Sequence, residues 1–342
     1  MATLSVNNPT LLDLAKVTDP DGQIAAVVEI LNETNEVLDE MSWMEGNLPT
    51  GHRTTQRTGI PAPTWRKLYG GVAPNKSTTV QVTDNTGMCE AYAEVDKALA
   101  DLNGNTAAFR LQEDKPHIEG LNQEIVDTLF YGDEATEPEA FTGFDARFAN
   151  LTADENSDNV IDGGGSGSDN ASIWLVVWGP NTVHGIIPKG SQAGLKVTDM
   201  GEVTLEDASD GSNTGRMQAY RTHYRWDAGL SVRDWRYVVR IANIDKSLLT
   251  RVFTSGAFSS GAHITDLMFQ ALRLIPNINA GRPSWYMSRD IASWVARQSA
   301  AIGNANVVTM DNLAGDLRHT ERFHGIPMRR CDSLSADEAA LT

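Results

Sequence analysis

Gly46-Asn47-Leu48-Pro49-Thr50-Gly51-His52-Arg53-Thr54-Thr55-Gln56-Arg57-Thr58-Gly59-Ile60-Pro61-Ala62-Pro63-Thr64-Trp65, then Gly70-Gly71, then a Thr- and Val-rich run from Val72 to Val82, is the stretch on which the fold turns. Thr and Val favour extended backbone, and Gly-Gly, Pro and Asn75-Lys76 supply turns. The pattern predicts a long hairpin over residues 48–95. From Leu48 to Thr83 there is no Asp or Glu, against Arg53, Arg57, Arg66, Lys67 and Lys76. Its large apolar groups before Tyr92 are scattered: Ile60, Trp65, Leu68, Tyr69 and Val80. A hairpin so poor in apolar content does not fold alone in water. It is either a loop on its own body or an arm that reaches onto a neighbouring molecule. Long structureless loops are uncommon in compact domains, which favours the arm.

The rest of the chain is acidic. Its 342 residues carry a net charge of −17, which argues against a surface that grips nucleic acid everywhere. Asp13, Asp19, Asp21, Glu29, Glu33, Glu36, Asp39, Glu40 and Glu45 face only Lys16 within residues 1–47, a net of −8, while residues 48–83 carry +5. Adjacent blocks of opposite sign suggest docking surfaces, on each other or on another copy. With 41% hydrophobic residues a real core is possible. There is no run of 18 apolar residues and no signal-peptide pattern at the start, so a cytosolic origin is expected. Cys89 and Cys331 form no CxxC pair and are expected to remain free thiols.

Residues 1–20 read as an extended arm. From Asp21 a helix is expected, with Ile24, Val27, Val28, Leu31, Leu38 and Met41 as its apolar stripe. Glu90 to Leu102 reads as strand passing into helix. A helix over 105–131 follows, capped by Asn105, striped by Ile118, Leu121, Ile125 and Leu129 and stopped at Gly132. Pro116 either kinks it or opens a second helix. Residues 133–170 are turn-rich. Ser172–Trp178 reads as a buried strand and Ile186-Ile187 as the start of another, and Asp199–Gly215 is again polar. Tyr220–Asp227 and Trp235–Ile241 alternate aromatic and arginine residues, and Ala228-Gly229 between them reads as the turn of a long antiparallel pair. Helices over 262–275 and 289–301, strands at 284–287 and 307–310, and a closing segment 323–331 complete an α+β order without βαβ regularity.

Chemistry is hard to find. There is no Walker motif, no GxGxxG after a strand and no GxSxG. Asp158, Asp162 and Gly163 resemble a calcium loop only faintly, because Val160 stands where a ligand belongs. One thiol and two spaced imidazoles, Cys331, His319 and His324, do not make a zinc site. Asp227 and Asp234 sit near arginines, where structural ion pairing is expected. No catalytic residue, metal or cofactor is predicted.

Several stretches together resemble the major capsid proteins of tailed bacteriophages, which have the Hong Kong 97-type coat fold. They are Ala108-Phe109-Arg110-Leu111-Gln112-Glu113-Asp114, Leu129-Phe130-Tyr131-Gly132, Trp285-Tyr286-Met287-Ser288-Arg289 and Phe323-His324-Gly325-Ile326-Pro327-Met328-Arg329-Arg330-Cys331-Asp332. The pattern is most similar to coat proteins of short-tailed phages. The resemblance implies an N-terminal arm with an acidic helix (1–47), an extended hairpin (48–95), a spine helix (105–131), a peripheral domain (96–169 and 211–255) and an axial domain with closing strands (170–210 and 256–342). It implies hexamers and pentamers of an icosahedral shell around double-stranded DNA, without sequence-specific binding. The expected partners are copies of the chain, a portal, a separate scaffolding protein and a possible decoration protein. The expected location is the virion, after synthesis in a bacterial cytoplasm.

The expected inter-subunit contact pairs Arg53, Arg57, Arg66, Lys67, Lys76 and Trp65 of the hairpin with acids of another copy. Those acids are Glu29, Glu33, Glu36 and Asp39 on the arm helix, or Glu113, Glu119, Glu124 and Asp127 on the spine. Two rival readings remain: an encapsulin-like cargo shell of the same fold, and an unrelated enzyme or binding module with an inserted arm.

Overall fold

A computed structural model describes residues 35–342 apart from 103, 105, 154, 208–214, 255–256, 303–307 and 312–319. The elements, in order, begin with helix α1 (Val37–Glu40) and strands β1 (Trp43–Glu45), β2 (Gly51–Gly59) and β3 (Thr78–Asp96). Helices α2 (Lys97–Asp101) and α3 (Thr106–Tyr131) follow. Strands β4 (Val160–Asp162), β5 (Asn170–Trp178), β6 (Val183–Ile187), β7 (Lys196–Asp207), β8 (Gly215–Val232) and β9 (Val238–Asp245) come next. The short pair β10 (Phe253–Thr254) and β11 (Ala257–Phe258) precedes α4 (Ile264–Leu274), β12 (Arg282–Met287) and α5 (Arg289–Ile302). β13 (Val308–Asp311), β14 (Thr320–Phe323) and β15 (Ile326–Arg330) close the chain. The chain forms two compact units.

The larger unit holds residues 34–87, 126–193 and 228–342. Its centre is β5, where all nine residues are buried. Such a near-continuous apolar run is what a strand covered on both faces requires. β5 pairs antiparallel with β9 (Leu175 opposite Val239) and with β12 (Leu175 opposite Trp285), and β12 pairs parallel with β15 (Trp285 opposite Met328). One face carries Ile173, Leu175, Val177, Val239, Ile241, Trp285 and Met287 against Ile264, Met268 and Ala271 of α4 and Ile291 and Val295 of α5. The other face presents Trp174, Trp178 and Tyr286 to Phe130 and Phe144, with ring centroids between 5.6 and 6.4 Å apart. Buried polar tips on that face find partners, as they must. Trp178 Nε1 donates to Tyr286 Oη at 2.7 Å, and Tyr286 Oη donates to Glu40 at 2.9 Å. The closing segment is a β14–β15 hairpin whose turn residues, His324 and Gly325, sit at φ 50° and 84°. Two successive left-handed residues match the twist of a hairpin.

The smaller unit contains residues 88–125 and 194–227. β7 and β8 pair antiparallel from Lys196 opposite Arg225 to Asp207 opposite Gly215. Tyr224 packs with Ala93 and Leu121, and Val95, Ala100 and Phe109 form a second cluster. Arg110 stacks over Tyr220 at 4.9 Å and pairs with Asp199 at 2.8 Å. Burial raises the Asp114 carboxyl above the usual carboxylate range, partly offset by the Tyr224 hydroxyl bonded to it.

Several expectations need correction. The long antiparallel pair is not Tyr220–Asp227 with Trp235–Ile241. β8 runs on through Ala228-Gly229 to Val232, its partner in the smaller unit is β7, and Val238–Asp245 pairs with β5 and β4. Gly229 marks a close approach rather than a turn: a Cβ there would meet the Asn85 carbonyl at 2.7 Å and Ile186 at 2.9 Å. The polar stretch from Asp199 to Asp207 belongs to β7, for which no strand was expected. Ile186-Ile187 ends β6 instead of starting a strand. α3 is one helix with Pro116 inside it. Of the acidic helix expected from Asp21, the described part is Val37–Glu40, and its earlier residues lie outside the described ones, as does Asn105.

Candidate assembly interface

The predicted hairpin is present. β2 pairs with β3 from Gly51 opposite Asn85 to Arg57 opposite Thr79, and residues 60–77 between them have no regular structure. Its root and its tip are built differently. At the root Gly51, His52 and Thr54 are buried and Gln56 Nε2 donates to the Val232 carbonyl at 3.2 Å. The chain entering β2 is fixed by Gly46 N–H on Ile187 O (2.8 Å), and Thr86 N–H on Thr50 O (3.0 Å) fixes the return strand. Asp84 of β3 is 3% exposed and accepts from Arg147 at 2.9 Å and from Ser231 at 2.8 Å.

The tip has no such support. Trp65 and Tyr69 are fully exposed, and Ile60 and Leu68 nearly so. The Lys67–Gly70 turn, closed by Gly70 N–H on Lys67 O at 3.0 Å, holds Tyr69 at φ 62°. A bulky residue in the left-handed region is strained, and the Tyr69 ring gains no burial in return. Arg57, Arg66, Lys67 and Lys76 are exposed and make no ion pair among the described residues, while Arg53 Nε donates to Thr83 Oγ1 at 3.1 Å. The tip is therefore an aromatic and cationic surface turned wholly to solvent. Beside β2 an open pocket of about 630 Å³ is lined by Arg57, Arg233, Arg236, Asp234 and Glu155.

The acids expected opposite this surface fall into three groups. Glu36 is engaged in its own chain, 2.7 Å from Arg329, which also reaches Glu40 at 2.6 Å, and Asp39 is exposed. Glu29 and Glu33 lie outside the described residues. On the spine helix Glu124 and Asp127 are exposed and Glu113 and Glu119 partly so. Glu113 and Glu124, eleven residues apart, share one helix face. The ion pairs expected for Asp227 and Asp234 are present, with Arg225 (2.9 Å) and Arg236 (2.7 Å). Sequence reasoning passed over two buried clusters. One gathers His52, His184, Asp84 and Arg147 at the hairpin root. The other gathers Arg240, Asp145 and Glu338. No local spacing announces either, because their members are brought together by the sheet. Among the described residues no group of three or more His, Cys, Asp or Glu could hold a metal.

A body with its own core, carrying an arm that leaves its largest apolar groups outside, defines a subunit completed by association. Comparison with known proteins agrees with that class. A chain in the cryo-EM structure of bacteriophage Epsilon15 is similar over 100% of both chains, with 34% identity and a TM-score of 0.78. The bacteriophage JBD30 capsid is similar at 11% identity over 97% of each chain, with a TM-score of 0.46. The SrpI encapsulin complex from Synechococcus elongatus follows at 11% identity and 0.44, over 65% of this chain and 92% of that one. No sequence among the curated proteins matches. The family model for major capsid protein GP7 matches residues 19–342, and the chain belongs to that family. It is a tailed-phage coat protein of the icosahedral shell, with the Hong Kong 97-type fold, and it is a component of the virion.

Proposed function

We propose that this chain assembles as hexamers and pentamers, each copy laying its hairpin tip on the acidic spine of the next, to form a shell around double-stranded DNA. The observation that carries this reading is the tip itself: Trp65, Tyr69, Leu68 and Ile60 are exposed together beside Arg66 and Lys67. Burying one such side chain is worth about 1.5–3 kcal/mol, so a tip left in water forgoes several times that amount. Exposed ion pairs add only about 0–1 kcal/mol each, and their work is to set register and partner choice. The exposed carboxylates Glu124 and Asp127, with Glu113 on the same helix, are the counterpart in this reading. The chain is made in the host cytoplasm, and a portal and a separate scaffolding protein complete the particle. The DNA inside is held without sequence-specific binding, consistent with the net charge of −17.

Electron microscopy of the purified chain tests the proposal. The expected result is capsomers or closed particles with hexameric and pentameric units. A stable, inert monomer at every salt and crowding condition overturns it.

A further inference from the structure

The hairpin root contains a titratable pair that a purely structural seat does not require. His52 on β2 and His184 on β6 meet edge to face with centroids 5.7 Å apart. His184 is completely buried and His52 is 6% exposed. His52 Nδ1 accepts from the Asn47 amide at 3.3 Å, whereas His52 Nε2 and both nitrogens of His184 are buried without a hydrogen-bond partner. Buried polar atoms are rarely left so, and an imidazole in that position pays no further desolvation only while it is neutral.

The groups facing the pair come from every neighbouring element. β3 contributes Asp84, whose charge is already engaged by Arg147 and Ser231. Arg233, the residue after β8, donates to the Pro180 carbonyl at 2.8 Å, and its positive charge acts on both rings. β1, paired with β6, sets Trp43 against Gly185, while its acid, Glu45, accepts from the Gly190 amide at 2.8 Å. The surroundings thus offer a proton little compensation.

We propose that His52 and His184 form a proton-operated release for the hairpin, in which taking up a proton places a cation in the buried seat between β2 and β6 and loosens β2 from it. Burial first, and Arg233 second, lower both imidazoles, His184 to about 4, while Asp84 acts the other way on each. A root that has opened takes up protons near the ordinary value of 6.5. Below that pH the open form binds more protons than the closed form, so the seat is at full strength above 6.5 and weakens as pH falls toward about 4. The release acts within one chain and is independent of what the tip lies on.

Hydrogen exchange of the full-length chain at about pH 7.5 and about pH 5, corrected for intrinsic rates, tests it. The expected result is that amides of Gly51–Gln56 exchange roughly tenfold faster at the lower pH, while those of β5 and β9 keep their protection. His52→Gln combined with His184→Gln abolishes the difference. Protection of β2 that is the same at both pH values in the wild type overturns the proposal, as does an equal loss in the double variant. Should the double variant not fold, His52→Gln alone, at the less buried ring, is expected to reduce the difference while His184 keeps part of it, and a difference undiminished in that variant overturns the part given to His52.

Discussion

Arg240 Nη2 lies 3.0 Å from Glu338 Oε2, and the arginine is 1% exposed. Glu338 also accepts from Ser172 at 2.5 Å and from Tyr131 at 2.7 Å, while Arg240 reaches Asp145 at 2.6 Å and the Phe148 carbonyl at 3.0 Å and stacks on Trp174. The backbone of Glu338 exchanges hydrogen bonds with Asn170, extending β5 by one pairing. The segment after β15 is thus tied to the central sheet by the backbone and the carboxylate of Glu338.

Glu338→Ala leaves a buried guanidinium short of one of its two counter-charges. The expected loss of stability is about 3–5 kcal/mol, read as a lower denaturant midpoint at unchanged slope. Glu338→Gln, which keeps a hydrogen-bond acceptor, is expected to lose less. An unchanged midpoint for the alanine variant refutes this account of Glu338.

Replacing residues 60–77 by a short Gly-Ser link is expected to leave the denaturant midpoint unchanged and to stop particle formation. A wider cut from Thr50 to Val80 is expected to destabilise the body as well, because it removes the buried His52 and Thr54. Equal stability of the two deletions would show that the root contributes nothing to the fold.

Arg57→Glu with Arg66→Glu is expected to block assembly at low salt, and a reversed acid at Glu124 to restore part of it. Since screening acts over about 8 Å at physiological ionic strength, the wild-type contact should itself weaken as salt rises. Assembly of the double reversal at wild-type level across salt concentrations would remove charge from the contact.

Cys89 and Cys331 are both free thiols. Cys331 is completely buried and its Sγ donates to Asn35 Oδ1 at 3.3 Å, so alkylation in the native protein is expected to be negligible. Burial, with Glu124 and Glu90 nearby, raises the Cys89 thiol above its ordinary 9.0. Less thiolate is then present at any given pH, so its alkylation is slower than that of an exposed cysteine at pH 8 and its rate still climbs beyond pH 9. A rate that levels off below pH 9 contradicts this.

The hairpin, the long helix and the buried strand at Ser172–Trp178 were legible because each has one dominant local signal: Thr and Val between turn residues, a helical stripe, and an unbroken apolar run. The pairing of β8 was not. Its sequence alternates correctly, but Ala228-Gly229 looks like a turn in isolation, and only the presence of Asn85 and Ile186 against Gly229 shows why a glycine is needed inside a strand. β7 escaped notice because its composition is polar, and its extended form follows from pairing with β8. The cationic, exposed character of the tip could be read directly from the absence of acids over residues 48–83. The histidine pair could not, because His52 and His184 are joined by strand packing and by no motif.

Trp65 is the one tryptophan among the eight that stands exposed, while Trp174, Trp178 and Trp285 are completely buried. The protein therefore contains its own optical probe. Emission from a solvated indole is red-shifted and open to quenching by iodide, whereas the buried rings emit further to the blue and are shielded. Any surface that covers the tip changes the signal of that single side chain, so engagement of the arm can be followed in real time without a label, with Trp65→Phe as the dark control.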